Sequence, residues 1–573
     1  MWLHTRTALL SYRTQPRKAK TAVRLAWCKL TGVKKGVLMV TVKTNVTGKS
    51  LRISIICAII LCVSQSPLAA QTDASRVAKE VVRHAGPSTQ VCRTRVNDTP
   101  EKLLECVQTS QLWPLLAQFQ QISDQNPGPD GHGNRDTGTP GYKASVVYVA
   151  GLVQKAGYKV TVQSYQYLAT EVVGVPEFGT SDENYVLKRD WSVARLSGGG
   201  TVRASIQPVG GSGNGCLGSD FARFIPGNVA LLQRGACSFD TQVANSQAAG
   251  ASAVVIYNTP DAAQDRFGAL ADLGGPSTVF PARLSHQASI PVIGVASYSV
   301  GSELLRRYAS GDAPMVHIDI RTRATSGTDY NLIAESPFGD PNHTVVIEGH
   351  LDSIYGAGML DNASGSTTIL GIALNMAKTS TRNRLRYIWF GGEEIGLLGS
   401  TYYTQHLSSA ERKQIAFDLD ADVTATPNFD IYIADPATAC NAFQFPSNVL
   451  PQSKPATQLW TNYFNSIGVV SQSAPFGNCG TDSNSFALIG IPDTGILTMQ
   501  DCCKSQSEVD IWGGFLGNYE GQVPGNNGGC CDQPDRWCDN LDNNDPFVLG
   551  LASQATAYMT LKLANQPFQI ARP

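Results

Sequence analysis

The feature that most constrains the fold is an alternation of apolar strand, amphipathic helix and apolar strand that begins at residue 344. The pattern predicts a buried strand over 344–347, a helix over 364–377 and a second buried strand over 385–390. Strands that alternate with helices are typical of an α/β domain with a parallel sheet. In open parallel sheets, ligands bind beyond the carboxyl ends of the strands. Functional side chains are therefore expected where these strands end.

Polar residues do cluster at these positions. Six of them are candidate site residues: His350, Asp352, Asp361, Glu393, Glu394 and Asp422. One imidazole with several carboxylates is a suitable ligand set for a divalent metal. Each residue alone also has a structural explanation, since Asp361, for example, could be a helix N-cap. Their order and spacing together favour a metal site, in which the adjacent Glu393 and Glu394 divide the work between a water and the metal.

Four stretches of the chain resemble the bivalent-zinc exopeptidases of the aminopeptidase Y type (clan MH). They are His350-Leu351-Asp352-Ser353, Asp361-Asn362-Ala363-Ser364-Gly365, Phe390-Gly391-Gly392-Glu393-Glu394-Ile395-Gly396-Leu397-Leu398-Gly399-Ser400 and Leu419-Asp420-Ala421-Asp422. The Glu-Glu-x-Gly-Leu-x-Gly-Ser part is the most specific. The resemblance implies a three-layer α/β/α sandwich of the phosphorylase/hydrolase-like type. It also implies a metallo-aminopeptidase that hydrolyses the N-terminal residues of peptides or proteins.

The resemblance implies a role for each of these residues. His350 and Asp422 would bind one zinc ion, Glu394 would bind a second, and Asp361 would bridge the two. Glu393 would be the general base. Asp352 would orient His350 by accepting the second N–H of its ring.

The chain departs from the family pattern near its C-terminus. The family closes its second zinc site with a histidine, but no histidine follows His406, and the aligned position is Asp535. An aspartate oxygen is a competent zinc ligand, so Asp535 is expected to replace the histidine. The alternative is that Asp535 faces solvent and water completes the site. A family tyrosine corresponds to Pro534, and a family arginine is absent from residues 480–483.

These departures leave several functions open. The first is an active metallo-aminopeptidase with two zinc ions. The second is a one-metal or weakly active enzyme, and the third is an inactive peptidase fold kept for binding. A single-zinc enzyme resembling glutaminyl cyclases would share the fold. The retained histidine and carboxylates favour the active peptidase.

A segment of different composition and strand length separates the first α/β segment from the catalytic one. Patterns of helix over 99–122, loop over 126–141, helix over 144–155 and strand over 158–167 would begin an α/β domain. Between about 170 and 325 come short strands, many glycines and one helical stretch, 240–249. Part of this segment resembles the protease-associated (PA) domain, on Pro226-Gly227-Asn228-Val229-Ala230-Leu231-Leu232-Gln233-Arg234-Gly235-Ala236-Cys237-Ser238-Phe239 and Ala248-Ala249-Gly250-Ala251. Such a module would present substrate or act only as a spacer.

These patterns, together with the two resemblances, predict four segments along the chain. They are an N-terminal extension with a signal peptide (1–70), the first part of the peptidase domain (71–170), an inserted mostly-β PA domain (171–325) and the catalytic core (326–573).

The basic start of the chain has the pattern of a secretory leader. Lys49 and Arg52 precede an apolar run over 53–63, and small residues suited to cleavage follow at 67–70. We therefore expect an exported protein that begins near Gln71. Met39 is a candidate for the true start of translation, which would make residues 1–38 an extension of the gene model. The alternative is an ordinary buried helix. The run is too short to span a bilayer, and no run of about 20 apolar residues occurs later.

The charge distribution excludes one class of partner. Residues 1–72 hold twelve Lys or Arg and no acid, which leaves 33 basic against 46 acidic residues in the rest of the chain. An acidic body repels phosphates, so nucleic-acid binding is not expected.

The cysteines also favour an exported protein. Eleven of the fourteen follow the leader, and the crowding of five of them over 502–538 favours a disulfide framework. A structural zinc cluster is the alternative, but its paired Cys-x2-Cys spacings are absent. Cys92 with Cys106 and Cys216 with Cys237 are the expected local pairs. Because eleven is odd, at least one thiol stays free or pairs between chains.

Overall fold

The structure is a computed structural model that describes three strands before residue 56 and most of the chain from 86 to 568. The gaps in the second part are 129–130, 188, 236, 260–281, 283, 354–355, 439–443, 477–479, 500–503, 517–518 and 520–538. The chain divides into two compact units, Met1–Ala70 and Gln71–Pro573. No described helix is both long and apolar enough to cross a membrane.

The first unit contains three antiparallel strands, β1 (Thr21–Cys28), β2 (Val37–Val46) and β3 (Lys49–Ile55). The start of the expected leader coincides with β3, and the rest of its apolar run lies outside the described residues. Cleavage near Gln71 stays a prediction.

The second unit contains the remaining strands and helices. Its strands are β4 (Lys159–Val172), β5 (Glu177–Thr180), β6 (Gly200–Pro208), β7 (Val229–Gln233), β8 (Ala253–Tyr257), β9 (Val292–Ala296), β10 (Met315–Ile320), β11 (Thr322–Glu335), β12 (Asp340–His350), β13 (Asn383–Phe390), β14 (Ile415–Ala421), β15 (Tyr432–Asp435), β16 (Gln472–Pro475) and β17 (Asp493–Leu497). Its helices are α1 (Thr89–Thr94), α2 (Pro100–Leu104), α3 (Thr109–Asp124), α4 (Pro140–Ala156), α5 (Phe239–Ala248), α6 (Tyr298–Ala309), α7 (Gly365–Met376), α8 (Leu398–Gln405), α9 (Ser409–Gln414), α10 (Val449–Ser466), α11 (Ser483–Leu488), α12 (Gln506–Trp512) and α13 (Pro546–Asn565).

An eight-stranded mixed sheet carries the candidate site residues. Its strand order is β16-β15-β17-β14-β12-β13-β11-β4. The four central strands β17, β14, β12 and β13 run parallel, whereas β11 and β4 are antiparallel to their neighbours. The carboxyl ends of β12, β13 and β14 therefore meet at one edge of the sheet, as the sequence pattern predicts.

Helices cover both faces of this sheet. Along β12, Val345 and Ile347 are buried in the cluster that includes residues of α3, α4, α7, α10 and α13. Val346, which points to the opposite face, packs with Tyr403 of α8 and Phe486 of α11. Because successive side chains of a strand point to opposite faces, the continuous apolar run of β12 fits burial on both sides. The result is a three-layer α/β/α domain.

A second sheet is formed between β4 and β11 along the chain. Its strand order is β5-β10-β6-β7-β8-β9, and its apolar residues form two clusters, one on each side of the central strands. The sequence pattern predicts one helix in this segment, yet α6 accompanies α5. Only Val300, Gly301 and Leu304 of α6 are buried, so its apolar stripe is short and easily missed.

The structure also tests the helix predicted over 99–122 and the two expected local disulfides. The helix predicted over 99–122 is two helices, α2 and α3, because the chain leaves the helical conformation at Gln108, which precedes the first turn of α3. Both expected local disulfides, Cys92–Cys106 and Cys216–Cys237, are present. The other cysteines after the leader lie outside the described residues.

Candidate metal centre

His350 is the centre of a cluster of buried carboxylates. It is the last residue of β12 and is only 1% exposed. Its Nε2 lies 3.0 Å from Asp361 Oδ1 and 3.4 Å from Asp422 Oδ1. Burial alone would lower the pKa of His350, but the surrounding carboxylates, Asp422 foremost, raise it well above its usual value. The site therefore favours a positive charge at this imidazole, either a proton or a cation bound by the same ligands.

Two overlapping sets of side chains could each hold a metal ion. In each set one ligand atom per residue lies within 4.8 Å of the others: His350 with Asp361 and Asp422, and His350 with Glu393 and Glu394. A mixed nitrogen and oxygen donor set of this kind suits Zn²⁺ and also harder divalent ions. The structure thus brings together the histidine and the four carboxylates that the sequence pattern assigns to this centre.

Glu393 and Glu394 are placed by a tight turn at the end of β13. Both are buried, and Gly392 before them has a φ of +70°. A Cβ at Gly392 would lie 2.7 Å from the hydroxyl of Tyr165, so the turn requires glycine for both conformation and space. The glycine lets the chain reverse directly beyond the strand and present two acidic side chains to the site.

Asp352 links the residues of this centre. Its carboxylate accepts hydrogen bonds from the backbone N–H groups of Glu393 and Glu394, each at 3.3 Å. The Nδ1 of His350 lies 3.1 Å from the backbone carbonyl oxygen of Asp352 and 3.5 Å from its Oδ1. The carbonyl of Asp352 is therefore closer to the imidazole than the carboxylate that the resemblance assigns to this contact.

Asp361 lies in an irregular segment and not at a helix N-cap. The segment Met359–Ser364 precedes α7, whose N-cap position is Ser364. The side chain of Asn362 donates to the carbonyl of Ala421 at 3.0 Å and accepts from the backbone N–H of Val423 at 3.1 Å. Asn362 therefore joins the segment that carries Asp361 to the segment that carries Asp422.

Asp539 is a site residue that the sequence pattern did not single out. Its carboxylate accepts the backbone N–H groups of Leu360 at 2.7 Å and Asp361 at 3.1 Å. Burial raises the pKa of Asp539 to about 6, although these two hydrogen bonds lower it. No local pattern marks Asp539 in the sequence, because its carboxylate binds backbone groups about 180 positions away in the chain.

Further carboxylates lie beside the centre. Thr481 donates to Asp420 at 3.0 Å and to Asp422 at 3.3 Å. Burial in the first place, followed by neighbouring acidic groups, raises the pKa of Glu348, Asp420 and Asp482 well above the usual range. Within the described residues, none of these three acids belongs to a group of ligand atoms that could hold a metal ion.

A cleft opens beside Asp422. The space within it, together with the open solvent at its mouth, is about 300 Å³. Its lining is mostly small or apolar and consists of Asp420, Asp422, Tyr432, Ala434, Ala474, Thr481, Ser483, Gly495, Ile496 and Leu497. A concave, largely apolar site next to a polar centre is the usual form of a substrate pocket.

Asp535 and Pro534 lie outside the described residues. The assignment of Asp535 as a metal ligand therefore stays a prediction. Asp539, which follows four positions later, does contact the segment that carries Asp361.

Comparison with known proteins gives consistent matches. Residues 331–543 match the model of peptidase family M28, and residues 202–304 match the PA domain. An aminopeptidase of Pseudomonas aeruginosa is 32% identical over 517 residues, which cover 88% of this chain and 90% of that protein. A probable leucine aminopeptidase 2 of Aspergillus fumigatus is 27% identical and covers 80% of this chain and 84% of its own length.

Two solved structures share the fold. An aminopeptidase from Aneurinibacillus sp. strain AM-1 has a TM-score of 0.61 at 20% identity. The superposition covers 83% of this chain and 98% of the other. A zinc aminopeptidase from Bacillus subtilis has a TM-score of 0.54 at 20% identity and covers 80% and 95%, respectively.

Proposed function

The chain belongs to peptidase family M28 and is a zinc metallo-aminopeptidase, and from this premise we propose that it acts outside the cell with two zinc ions bound at the centre built on His350. The observation that carries the proposal is the position of the His350 imidazole, which faces both Asp361 and Asp422. The two carboxylate pairs that meet at His350, Asp361 with Asp422 and Glu393 with Glu394, offer enough donors for two neighbouring ions.

We assign the ligands as the resemblance does. His350 and Asp422 would hold one ion, Glu394 would hold the other, and Asp361 would serve both. Asp535 is proposed as a further ligand of the Glu394 ion. Zinc bound at such a centre acts as a Lewis acid that polarises the scissile carbonyl and makes the attacking water more acidic.

The reaction then depends on groups of the chain itself. Glu393 takes the proton of the attacking water and returns it to the nitrogen of the departing amine. Asp352 holds the backbone of Glu393 and Glu394 beside His350. The surrounding carboxylates would attract the free α-ammonium group of a peptide, which favours N-terminal residues over internal ones. We propose that the cleft beside Asp422 receives the side chain of that residue.

Export is supported by the basic leader and by the two disulfides, which persist in oxidising compartments. We also propose the domain limits 71–170, 171–325 and 326–573 for the exported chain.

The central experiment tests activity and metal together. The full chain, expressed in a host that exports it, should release N-terminal residues from unblocked peptides of a mixed library and leave N-acetylated copies intact. Chelation should abolish the release, and added zinc should restore it. Elemental analysis should give two zinc ions per chain. A zinc-loaded protein that turns over no peptide of the library would favour an inactive binding protein instead.

A further inference from the structure

The loop over residues 133–139 packs against the connection that follows β12, although it comes before the PA segment in the chain. Its Arg135 is fully buried, and its guanidinium donates to the backbone carbonyls of Leu351 at 2.8 Å, Ala357 at 2.6 Å and Gly358 at 2.7 Å. These carbonyls belong to the connection between β12 and the segment that carries Asp361. Arg135 therefore fixes the loop against that connection.

Two residues of the same loop continue this contact. The hydroxyl of Ser353 donates to Asp136 Oδ1 at 2.9 Å. The hydroxyl of Thr137 donates to Asp352 Oδ2 at 2.7 Å. Within the described part of the chain, Thr137 is the one side chain that supplies a hydroxyl hydrogen bond to the carboxylate of Asp352.

Among the described residues, the bond from Thr137 is the shortest one made to this carboxylate. The backbone N–H groups of Glu393 and Glu394 lie 3.3 Å away, near the outer limit for a hydrogen bond, and the ring Nδ1 of His350 lies 3.5 Å away. Asp352 itself is fully buried. A carboxylate held by two long bonds alone would rotate more freely than one held also by a short bond. Its contacts to His350 and to both glutamates would then lose their fixed geometry.

We propose that Thr137 is a positioning residue of the metal centre. Its hydroxyl orients the Asp352 carboxylate, which in turn sets the positions of His350, Glu393 and Glu394 relative to one another. The proposal rests on the assignment of this centre as a zinc site. It concerns the outer support of that site and adds no ligand to it. Groups that orient metal ligands in this way commonly change metal affinity or activity by about 10- to 100-fold when removed.

The competing explanation is that Thr137 only fills space. Two substitutions separate the explanations, because Thr137→Val keeps the shape and removes the hydroxyl, whereas Thr137→Ser keeps the hydroxyl and removes the methyl group. Thr139 provides a matched control in the same loop. Its side chain accepts the backbone N–H of Tyr142 at 3.2 Å as the N-cap of α4, and no bond joins it to Asp352.

The test measures the zinc dissociation constant of the full chain by competition with a chromophoric chelator, well below the unfolding temperature. We expect Thr137→Val to bind zinc about 10-fold more weakly and Thr137→Ser to bind it as the wild type does. Thr139→Val should lower the unfolding temperature and leave the zinc affinity unchanged. At saturating zinc, Thr137→Val should lower kcat more than it changes KM.

Several outcomes would overturn the inference. They are wild-type zinc affinity in Thr137→Val, an equal loss in Thr137→Ser, or an equal loss in Thr139→Val. If Thr137→Val does not fold, Thr137→Ala is compared with Thr137→Ser in its place, and equal zinc affinity in that pair also contradicts it. A wild-type chain that binds no zinc would instead contradict the proposed function, so the two failures are distinguishable.

Discussion

Glu393 and Glu394 are neighbours in sequence with the same chemistry, and both are buried beside His350. If Glu393 is the base and Glu394 a ligand, the same substitution should have different effects at the two positions. Glu393→Gln should retain zinc and lose about 10²- to 10⁴-fold in kcat, because only proton transfer is removed. Glu394→Gln should lower the zinc content per chain. Both quantities are measured on the same preparations, by steady-state kinetics and elemental analysis.

Each glutamate is the control for the other. Equal zinc content in the two variants together with equal activity would contradict the division of roles. A Glu393→Gln variant that loses zinc would make Glu393 a ligand.

Asp535 is assigned as a ligand by the resemblance alone. Asp535→His restores the family pattern and should tighten zinc binding while activity is kept or raised. Asp535→Ala should weaken zinc binding. A site that holds one imidazole among carboxylates should also accept Mn²⁺ or Co²⁺ more readily than a histidine-rich one. Unchanged zinc affinity in both variants would remove Asp535 from the site.

The sequence predicts the residues at the ends of strands and misses those that support them. His350, Asp361 and Asp422 follow recognisable strands and motifs, so their convergence follows from the topology of a parallel sheet. Thr137 and Asp539 act through contacts to residues about 180 to 215 positions away. Such contacts exist only once the chain is folded, and no local pattern marks them.

At the scale of secondary structure, a pair of acidic residues lies inside the sheet. Asp418 on β14 is paired in register with Asp493 on β17, and both are fully buried. Burial raises the pKa of both carboxyl groups well above the usual value, and the neighbouring acids raise it further. Folding therefore favours their protonated forms. The stability that these groups contribute is present below their unfolded pKa near 4 and is lost as the pH rises through the folded pKa.

Asp493→Asn should reduce this loss, because the amide copies the shape of the protonated acid and does not ionise. We expect the variant to gain unfolding free energy relative to the wild type at pH 8, and to gain less at pH 5. Denaturant unfolding at both pH values measures this difference. Asp319→Asn is the control, since a hydrogen bond from Thr201 lowers the pKa of Asp319. Its loss should destabilise the chain to about the same extent at pH 5 and pH 8, because both values lie above the unfolded pKa near 4. The same response in both variants would contradict the interpretation.

The helices and strands could be predicted where the spacing of apolar residues was regular or their run continuous. The strands agree with the pattern because residues 344–350 of β12 and six of the eight residues of β13 are buried. The helix α7 lies where the pattern predicts it, but all of its residues are buried, so it is not amphipathic. The division of the predicted helix over 99–122 was missed, because its apolar spacing continues across the break between α2 and α3. The break coincides with Cys106, which is tied to Cys92 by a disulfide. A tertiary constraint thus overrides the local periodicity at this point.

For the molecule as a whole, metal should be a stabiliser as well as a cofactor. The centre gathers His350 and four carboxylates from separate segments of the sheet edge, so a cation that binds them holds those segments together. Free zinc at 100 times its dissociation constant should add about 2.7 kcal/mol to the unfolding free energy. Thermal unfolding with and without a chelator measures the effect. The Glu394→Gln variant should show a smaller difference, and an equal one would argue against zinc binding at this centre.

The pairing of β4 with β11 has a consequence for how the domain composition of such a chain can evolve. Val172, the last residue of β4, is paired with Thr322, the first residue of β11. The chain therefore leaves the eight-stranded sheet and returns to it at adjacent positions. The strands β4 and β11 are paired as in a β-hairpin, and residues 173–321 are inserted between them. A two-residue turn could close that hairpin without reordering any strand of the sheet. The insert can therefore be lengthened, exchanged or deleted while the strand order of the eight-stranded sheet stays the same.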